Sequence, residues 1–340
     1  MMTNNLPARR RALICSSLEG PSQLTIEEQT LSAPKEDEVC IEVRAGGLNF
    51  PDLLMTQGKY QLKPQLPFTP GMEACGTIIA CGRAVNDFAP GDRVSVRMRV
   101  GAFADYITLP ASEVVPAPPA FDDSETACYM TSLHTARHCL IDRAQLTAGE
   151  RVLVLGASGG VGYACSQLAL HIGAEVMVGA SSAEKLRMLE PLGAQHSLNY
   201  GHDELIAAVR AVWPDGPDVI IDPVGGDLFE QAVRLPRWGG RLLVVGFASG
   251  RIGQVPANLP LIKGYSIIGV RAGEATRRDP ELAATSKHQI KEWTDAGLMR
   301  PLIGARFAFA DAIDAFKMMA DRKAIGRIAI EFNRPNEPAS

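Results

Sequence analysis

Over the first 125 residues the apolar positions fall in short β-branched runs, at 39–43, 76–80 and 93–97. Turn signals such as Thr69-Pro70-Gly71 and Pro90-Gly91-Asp92 separate them, a rhythm that predicts antiparallel strands in a partly open barrel. From about residue 126 the pattern changes. Residues 151–155, 175–179, 218–222 and 241–245 are continuous apolar runs, as expected of strands buried on both faces. Between them Val161, Cys165, Leu168 and Ile172 recur on one helical face,. Strand alternating with helix predicts an α/β unit with a doubly wound parallel sheet. From about 263 the chain holds one more strand candidate (266–270), two helical segments and a last strand at 326–331, and the tail 335–340 is expected to be disordered,. The expected breaks between stretches therefore lie near 125 and 262.

Composition narrows this picture only modestly. With 340 residues, 46% apolar and 21% charged, the chain suits two globular domains. A net charge of −4, from 34 basic and 38 acidic residues, offers no electrostatic footprint for nucleic acid,. No apolar run has the length of a membrane span, and the N-terminus lacks the apolar stretch of a secretory signal,. The seven cysteines are odd in number, scattered and without a C-x-x-C pair. They read as small core residues in a reducing, cytoplasmic setting.

The first chemical signal is the turn at residues 156–162, Gly-Ala-Ser-Gly-Gly-Val-Gly. It follows one apolar run and opens the helical pattern after it. That context suits a dinucleotide whose pyrophosphate lies against backbone N–H groups at the helix N-terminus. Ser158, Gly159, Gly160 and Val161 are the candidate phosphate contacts. Readers of NAD usually carry an acid at the end of the second strand, for the ribose 2′-hydroxyl. Here that strand ends in Ser181-Ser182 with Lys185 beyond and Tyr200 further on. Two hydroxyls, a cation and a phenol suit a 2′-phosphate, so NADPH is the expected cofactor. The plainer alternative makes a serine a helix cap and Lys185 a solvated side chain. Gly246 and Phe247 follow a late strand of the same sheet, where loops meet bound cofactor.

With Gly47-Leu-Asn49-Phe-Pro-Asp52, Gln57-Gly-Lys-Tyr60, Pro70-Gly-Met-Glu73-Ala-Cys-Gly76, Pro90-Gly-Asp-Arg-Val94, Thr131, Asp222-Pro-Val-Gly225 and Pro256-Ala-Asn-Leu259, the sequence resembles the medium-chain dehydrogenase/reductase superfamily. Within it, the resemblance is to the zinc-free quinone oxidoreductase branch, and it covers nearly the whole chain. It implies a split layout: a mostly β, GroES-like catalytic domain from 1–125 and 263–340, with an NADPH-binding Rossmann domain, 126–262, inserted in it. It further implies nicotinamide held in a cleft between domains, and a homodimer through edge strands of the nucleotide sheets, residues 266–270 being the candidate edge.

Zinc-dependent relatives place a cysteine near the position of Asn49 and a Gly-His-Glu where this chain has Gly71-Met72-Glu73. No histidine precedes His134, and the four-cysteine structural lobe is missing, so no metal is expected. Hydride transfer to an acceptor that is electrophilic by its own chemistry, a quinone or an enone, is the reaction implied. The alternatives are a 2-enoyl-thioester reductase and an NADPH-binding protein with little catalysis. Tyr60 resembles in position a tyrosine of enoyl-thioester reductases, as a proton donor or substrate-orienting phenol, the other reading being a rim aromatic. Asn49 is expected to hydrogen-bond the nicotinamide ribose or substrate, or else to hold its own loop. Asp52 either joins that network or caps a helix starting at Leu53. Thr131 is placed beside the nicotinamide by resemblance or is a helix cap, and Glu73 is expected to accept backbone hydrogen bonds. Ile268 and Arg327 are further cofactor neighbours drawn from the resemblance. His134 and His138, four apart, are read as packing residues.

Overall fold

The computed structural model describes residues 6–332; the expected disordered tail, 335–340, lies outside them. The strands in chain order are β1 (Arg9–Cys15), β2 (Leu24–Thr30), β3 (Glu38–Leu48), β4 (Glu73–Cys81), β5 (Arg93–Arg97), β6 (Tyr106–Pro110) and β7 (Val114–Pro116). After these come β8 (Arg151–Val154), β9 (Glu175–Ala180), β10 (His196–Asn199), β11 (Val219–Asp222), β12 (Arg241–Val244), β13 (Ser266–Gly269), β14 (Ile303–Ala308) and β15 (Arg327–Glu331). Two compact units result. One comprises the chain up to 131 and from 302, the other 132–301.

The first unit is mostly antiparallel. Its seven-stranded sheet runs β14-β15-β3-β4-β5-β7, with β6 also paired to β3 and a separate β1–β2 ribbon. Inward positions of these alternating strands meet in a core that includes Leu13, Ile41, Leu48, Ile78, Phe103 and Phe316, the two phenyl rings edge to face at 6.0 Å,. Gly47 is required by close approach. A Cβ there would lie 2.1 Å from the carbonyl oxygen of Ala127, so the helix Asp123–Cys128 packs directly on β3.

The second unit is the expected parallel sheet, in order β10-β9-β8-β11-β12-β13. Every residue of β11 is buried, which is why the apolar runs are continuous rather than alternating. The helix Gly160–Ile172 stops at Gly173, whose φ of 91° suits a left-handed cap,. Trp213 is fully buried, and its indole N–H donates to Glu175 at 2.9 Å. No helix among the described residues is long and apolar enough to cross a membrane.

The breaks differ from those expected near 125 and 262. The segment after 262 supplies β13, a sixth strand parallel to β12, so the second unit continues to 301. A six-residue helix, Asn258–Lys263, makes the crossover that this parallel strand needs,. Helices Ala272–Arg278 and Pro280–Asp295 follow in the same unit. His134 holds them: its Nε2–H donates to the Ala272 carbonyl at 3.3 Å and Nδ1 accepts from Ser286 Oγ at 2.9 Å. His138 opens a π-helical turn and pairs with Asp142 at 2.9 Å. Both histidines are packing residues in this structure.

Candidate functional site

Two groups of polar residues stand out, one in each unit. In the second, β8 feeds the turn at 156–162 and the helix Gly160–Ile172 starts within it, with Gly159 at its N-cap. Gly156 has φ 60°. Gly162 is demanded by packing: a Cβ there would lie 2.3 Å from the Gly156 carbonyl oxygen and 2.8 Å from Ala157 Cα. At Gly159 the nearest atom to such a Cβ is 3.5 Å away, so sterics within the protein leave that glycine free to serve a ligand. The turn is a cradle of backbone at a helix N-terminus, suited to a pyrophosphate. The residues present fit a dinucleotide.

At the end of β9 the chain brings Ser181, Ser182 and Lys185 together. Ser182 is the N-cap of the short helix Ala183–Arg187 and accepts from Lys185 N at 3.3 Å. The Lys185 ammonium donates to Ser181 Oγ at 3.3 Å, and burial lowers its pKa. Cap and cation thus coexist on one small surface. Tyr200 is turned elsewhere. Its ring lies against Gly179 and its hydroxyl meets the Gly156 backbone, while burial pushes its pKa up to about 12. Gly246 follows β12 and donates to the Asp222 carbonyl at 3.4 Å. Phe247 is partly exposed, its ring against Gly225. Ile268 lies half-buried on β13, the edge strand.

In the first unit Asn49, Asp52, Glu73, Arg327 and the amide of Thr131 form a buried network. The helix here is Phe50–Thr56, three residues earlier than expected, with Asn49 as its N-cap. Asp52 is therefore the third helical residue, and it accepts from Asn49 N at 2.9 Å and Gly71 N at 3.1 Å. The Asn49 side chain donates to Gly47 O at 3.1 Å and Glu73 Oε1 at 3.0 Å, and its Oδ1 accepts from Arg327 at 2.7 Å. Both of its N–H bonds are engaged. Arg327 also pairs with Glu73, and the other Glu73 oxygen accepts from Thr131 N at 3.0 Å. Thr131 lies inside the helix Met130–Arg137, not at its cap. Arg327, expected as a cofactor neighbour, is here the cation of a buried network. Tyr60 packs against the core of the same unit.

The network holds two carboxylates and one guanidinium away from water. Burial, with the Glu73 charge adding to it, drives the Asp52 pKa up to about 7, against two backbone amides and Arg327,. Burial works against the Arg327 charge as well, yet Glu73 keeps that guanidinium firmly protonated. An acid near 3.9 when unfolded and about 7 when folded binds more protons in the native state between those values. Its contribution to stability thus declines as pH rises from about 4 to about 7. Asp52→Asn should therefore gain on wild type across that window, by up to about 4 kcal/mol. Urea unfolding at a series of pH values checks this; a constant difference between the two proteins would refute it.

Sequence reasoning missed Asp222 as a functional candidate, using it only within a family motif. The available signal was a carboxylate ending an otherwise apolar strand. Among the described residues no group of three or more His, Cys, Asp or Glu could hold a metal ion.

Comparison with known proteins completes the picture. Residues 35–119 match the family model for the alcohol dehydrogenase GroES-like domain, and 160–287 the model for zinc-binding dehydrogenases. Quinone oxidoreductase-like protein 2 of Bos taurus is 36% identical over 94% of this chain and 92% of its own length. A mycobacterial structure complexed with NADPH is 28% identical, covers 95% of this chain and 100% of its own, and superposes with a TM-score of 0.87. The CurK enoyl reductase is 26% identical, with coverage of 95% and 99% and a TM-score of 0.86.

Proposed function

This chain belongs to the quinone oxidoreductase branch of the medium-chain dehydrogenase/reductase superfamily, and from that premise we propose that it is an NADPH-dependent, zinc-independent reductase of quinones or similar conjugated carbonyls. The observation that carries the reading is the glycine turn joined to an acid-free end of β9, where Ser181, Ser182 and Lys185 meet. NADPH would be held by the turn and by those three groups, and would supply the hydride. The NADPH bound in the mycobacterial relative supports the same choice.

Zinc independence is supported by donor chemistry. Asn49 is occupied by Glu73, Gly47 and Arg327, and the guanidinium beside it would repel a second cation. All seven cysteines are free, which suits a reducing compartment such as the cytoplasm.

Steady-state oxidation of NADPH with a panel of quinones and enoyl thioesters tests the proposal. Turnover with quinones is expected. Tight NADPH binding with no acceptor reduced would instead make the chain a dinucleotide-binding protein with little catalysis. Lys185→Ala should raise KM for NADPH about tenfold and leave KM for NADH unchanged; equal effects on both would overturn the 2′-phosphate assignment. A 2-enoyl-thioester reductase is the second reading, favoured by the CurK likeness and the Tyr60 phenol. On that reading Tyr60→Phe slows enoyl thioesters far more than quinones.

We also propose a homodimer joined through β13. Among the described residues that strand has β12 on one side only, and an open edge can extend across a two-fold axis. Leu261 and Ile262, in the helix leading to β13, are 79% and 68% exposed, as is Trp238 at 75%, its ring over Gly264. Trp238→Asp with Leu261→Asp should convert the protein to a monomer by sedimentation. A variant that stays dimeric would exclude this surface.

A further inference from the structure

Asp222 ends β11, and the strand order reverses between β8 and β11. In doubly wound sheets that reversal is the crevice over which a dinucleotide lies, with one mononucleotide on each half. β11, β12 and β13 form the second half, which would take the nicotinamide nucleotide of a bound dinucleotide,. Asp222 is fully buried. Its Oδ1 accepts two amides, from Val224 at 2.7 Å and Gly225 at 2.9 Å, and so shapes the turn after the strand. Its Oδ2 is equally buried and has no hydrogen-bond partner among the described residues.

The turn that Asp222 holds is pressed against the dinucleotide cradle. A Cβ built on Gly156 would lie 2.9 Å from Val224 Cγ2 and 3.4 Å from Pro223 Cγ. Strand-to-strand bonding continues there too, with Leu155 N donating to Ile221 O at 3.0 Å. A buried carboxylate oxygen without a donor loses its hydration and gains nothing in return. A buried acceptor of this kind calls for a reason, and a ligand or an ordered water arriving there supplies one. A sugar hydroxyl is a neutral donor that a carboxylate accepts well.

We propose that Asp222 contacts the cofactor: its unpartnered oxygen accepts a ribose hydroxyl of the nicotinamide half, while the other oxygen holds the turn that supports Gly156. This rests on the reading that the chain binds NADPH. Asp222→Asn separates the two tasks. Asparagine keeps one oxygen for the amides of Val224 and Gly225 and replaces the other with a donor.

The measurements are fluorescence titration with NADPH, competition by adenosine 2′,5′-bisphosphate (which lacks the nicotinamide half) and the thermal midpoint. Expected for Asp222→Asn is NADPH affinity lowered about tenfold or more, with bisphosphate affinity and midpoint near wild type. Unchanged NADPH affinity would overturn the proposal, the oxygen then holding only a water. Equal losses for both ligands would overturn it too, leaving a purely structural role. Should the variant not fold, NADPH with a deoxygenated nicotinamide ribose tests the wild type directly. Binding about tenfold weaker supports the proposal, and equal binding refutes it. If wild type binds neither NADPH nor the bisphosphate, the cofactor reading itself fails.

Discussion

Gly162→Val is expected to lower NADPH affinity by about a hundredfold or more, with a fall in the thermal midpoint of the second unit. The cause is steric and local. A Cβ at 162 would sit 2.3 Å from the Gly156 oxygen and 2.8 Å from Ala157 Cα, distances no backbone tolerates. The helix must move away from β8, and the backbone amides that form the cradle move with it. An isolated overpacking of this kind typically costs about 1–3 kcal/mol, and displaced phosphate donors add to the loss in binding. Gly159→Ala is the paired control. Its Cβ would meet nothing nearer than 3.5 Å and the N-cap φ of −87° suits alanine, so the thermal midpoint should hold. A loss of NADPH affinity without a loss of stability would then mark Gly159 as facing the ligand. If Gly162→Val binds NADPH normally, the turn is not the cofactor cradle.

Arg327→Met is expected to destabilise the protein by about 3–5 kcal/mol, the usual result of removing one partner from a buried ion pair. Arg327 lies at 6% relative exposure between Asn49 Oδ1 and the carboxylate of Glu73, which is fully buried. Without it Glu73 and Asp52 face each other's charge with no cation, and Asn49 loses the donor to its oxygen. Two further results follow from that account. The Asp52 pKa, already about 7 from burial, should climb further, so the loss in stability should shrink as pH falls toward 5. Adding Glu73→Gln to Arg327→Met should restore part of the stability, because the uncompensated charge goes with it. Urea unfolding curves for wild type, Arg327→Met, Glu73→Gln and the double variant close the cycle. Equal destabilisation at pH 5 and pH 8 would show that packing, not charge, explains the effect.

Much of the fold was legible in the sequence because its signals are short in range. The runs at 151–155, 175–179 and 241–245 each match a strand to within a residue, since burial on both faces leaves little choice of side chain. The turn at 156–162 was readable for the same reason: a strand, a tight turn and a helix impose their glycines within a dozen residues. The cap at Ser182 and the Ser181–Lys185 pairing were likewise local, four residues apart. The start of the helix at Phe50 was harder, because Asp52 reads equally well as a cap and as the third residue of a capping box,.

What the sequence by itself determined, then, is the α/β class, a glycine turn at 156–162 of the kind that suits a dinucleotide, and an end of β9 with no acid before the next helix opens. Those features depend on neighbours within a few residues. Only the tertiary structure decided that 263–301 joins the second unit: 266–270 already reads as a strand in sequence, but its hydrogen bonds to β12 are what carry it and the helices after it into that unit. Only the structure brought Arg327 to Asn49 and Glu73. The antiparallel register of β15 on β3 sets Ile328 opposite Leu48, which places a guanidinium at the mouth of a helix 278 residues earlier in the chain. Low dielectric then turns that meeting into a mutual dependence of three charges. The unpartnered oxygen of Asp222 was hidden for the same reason. Whether a buried acceptor has a donor depends on every strand and loop packed around it, and no window of sequence contains them all.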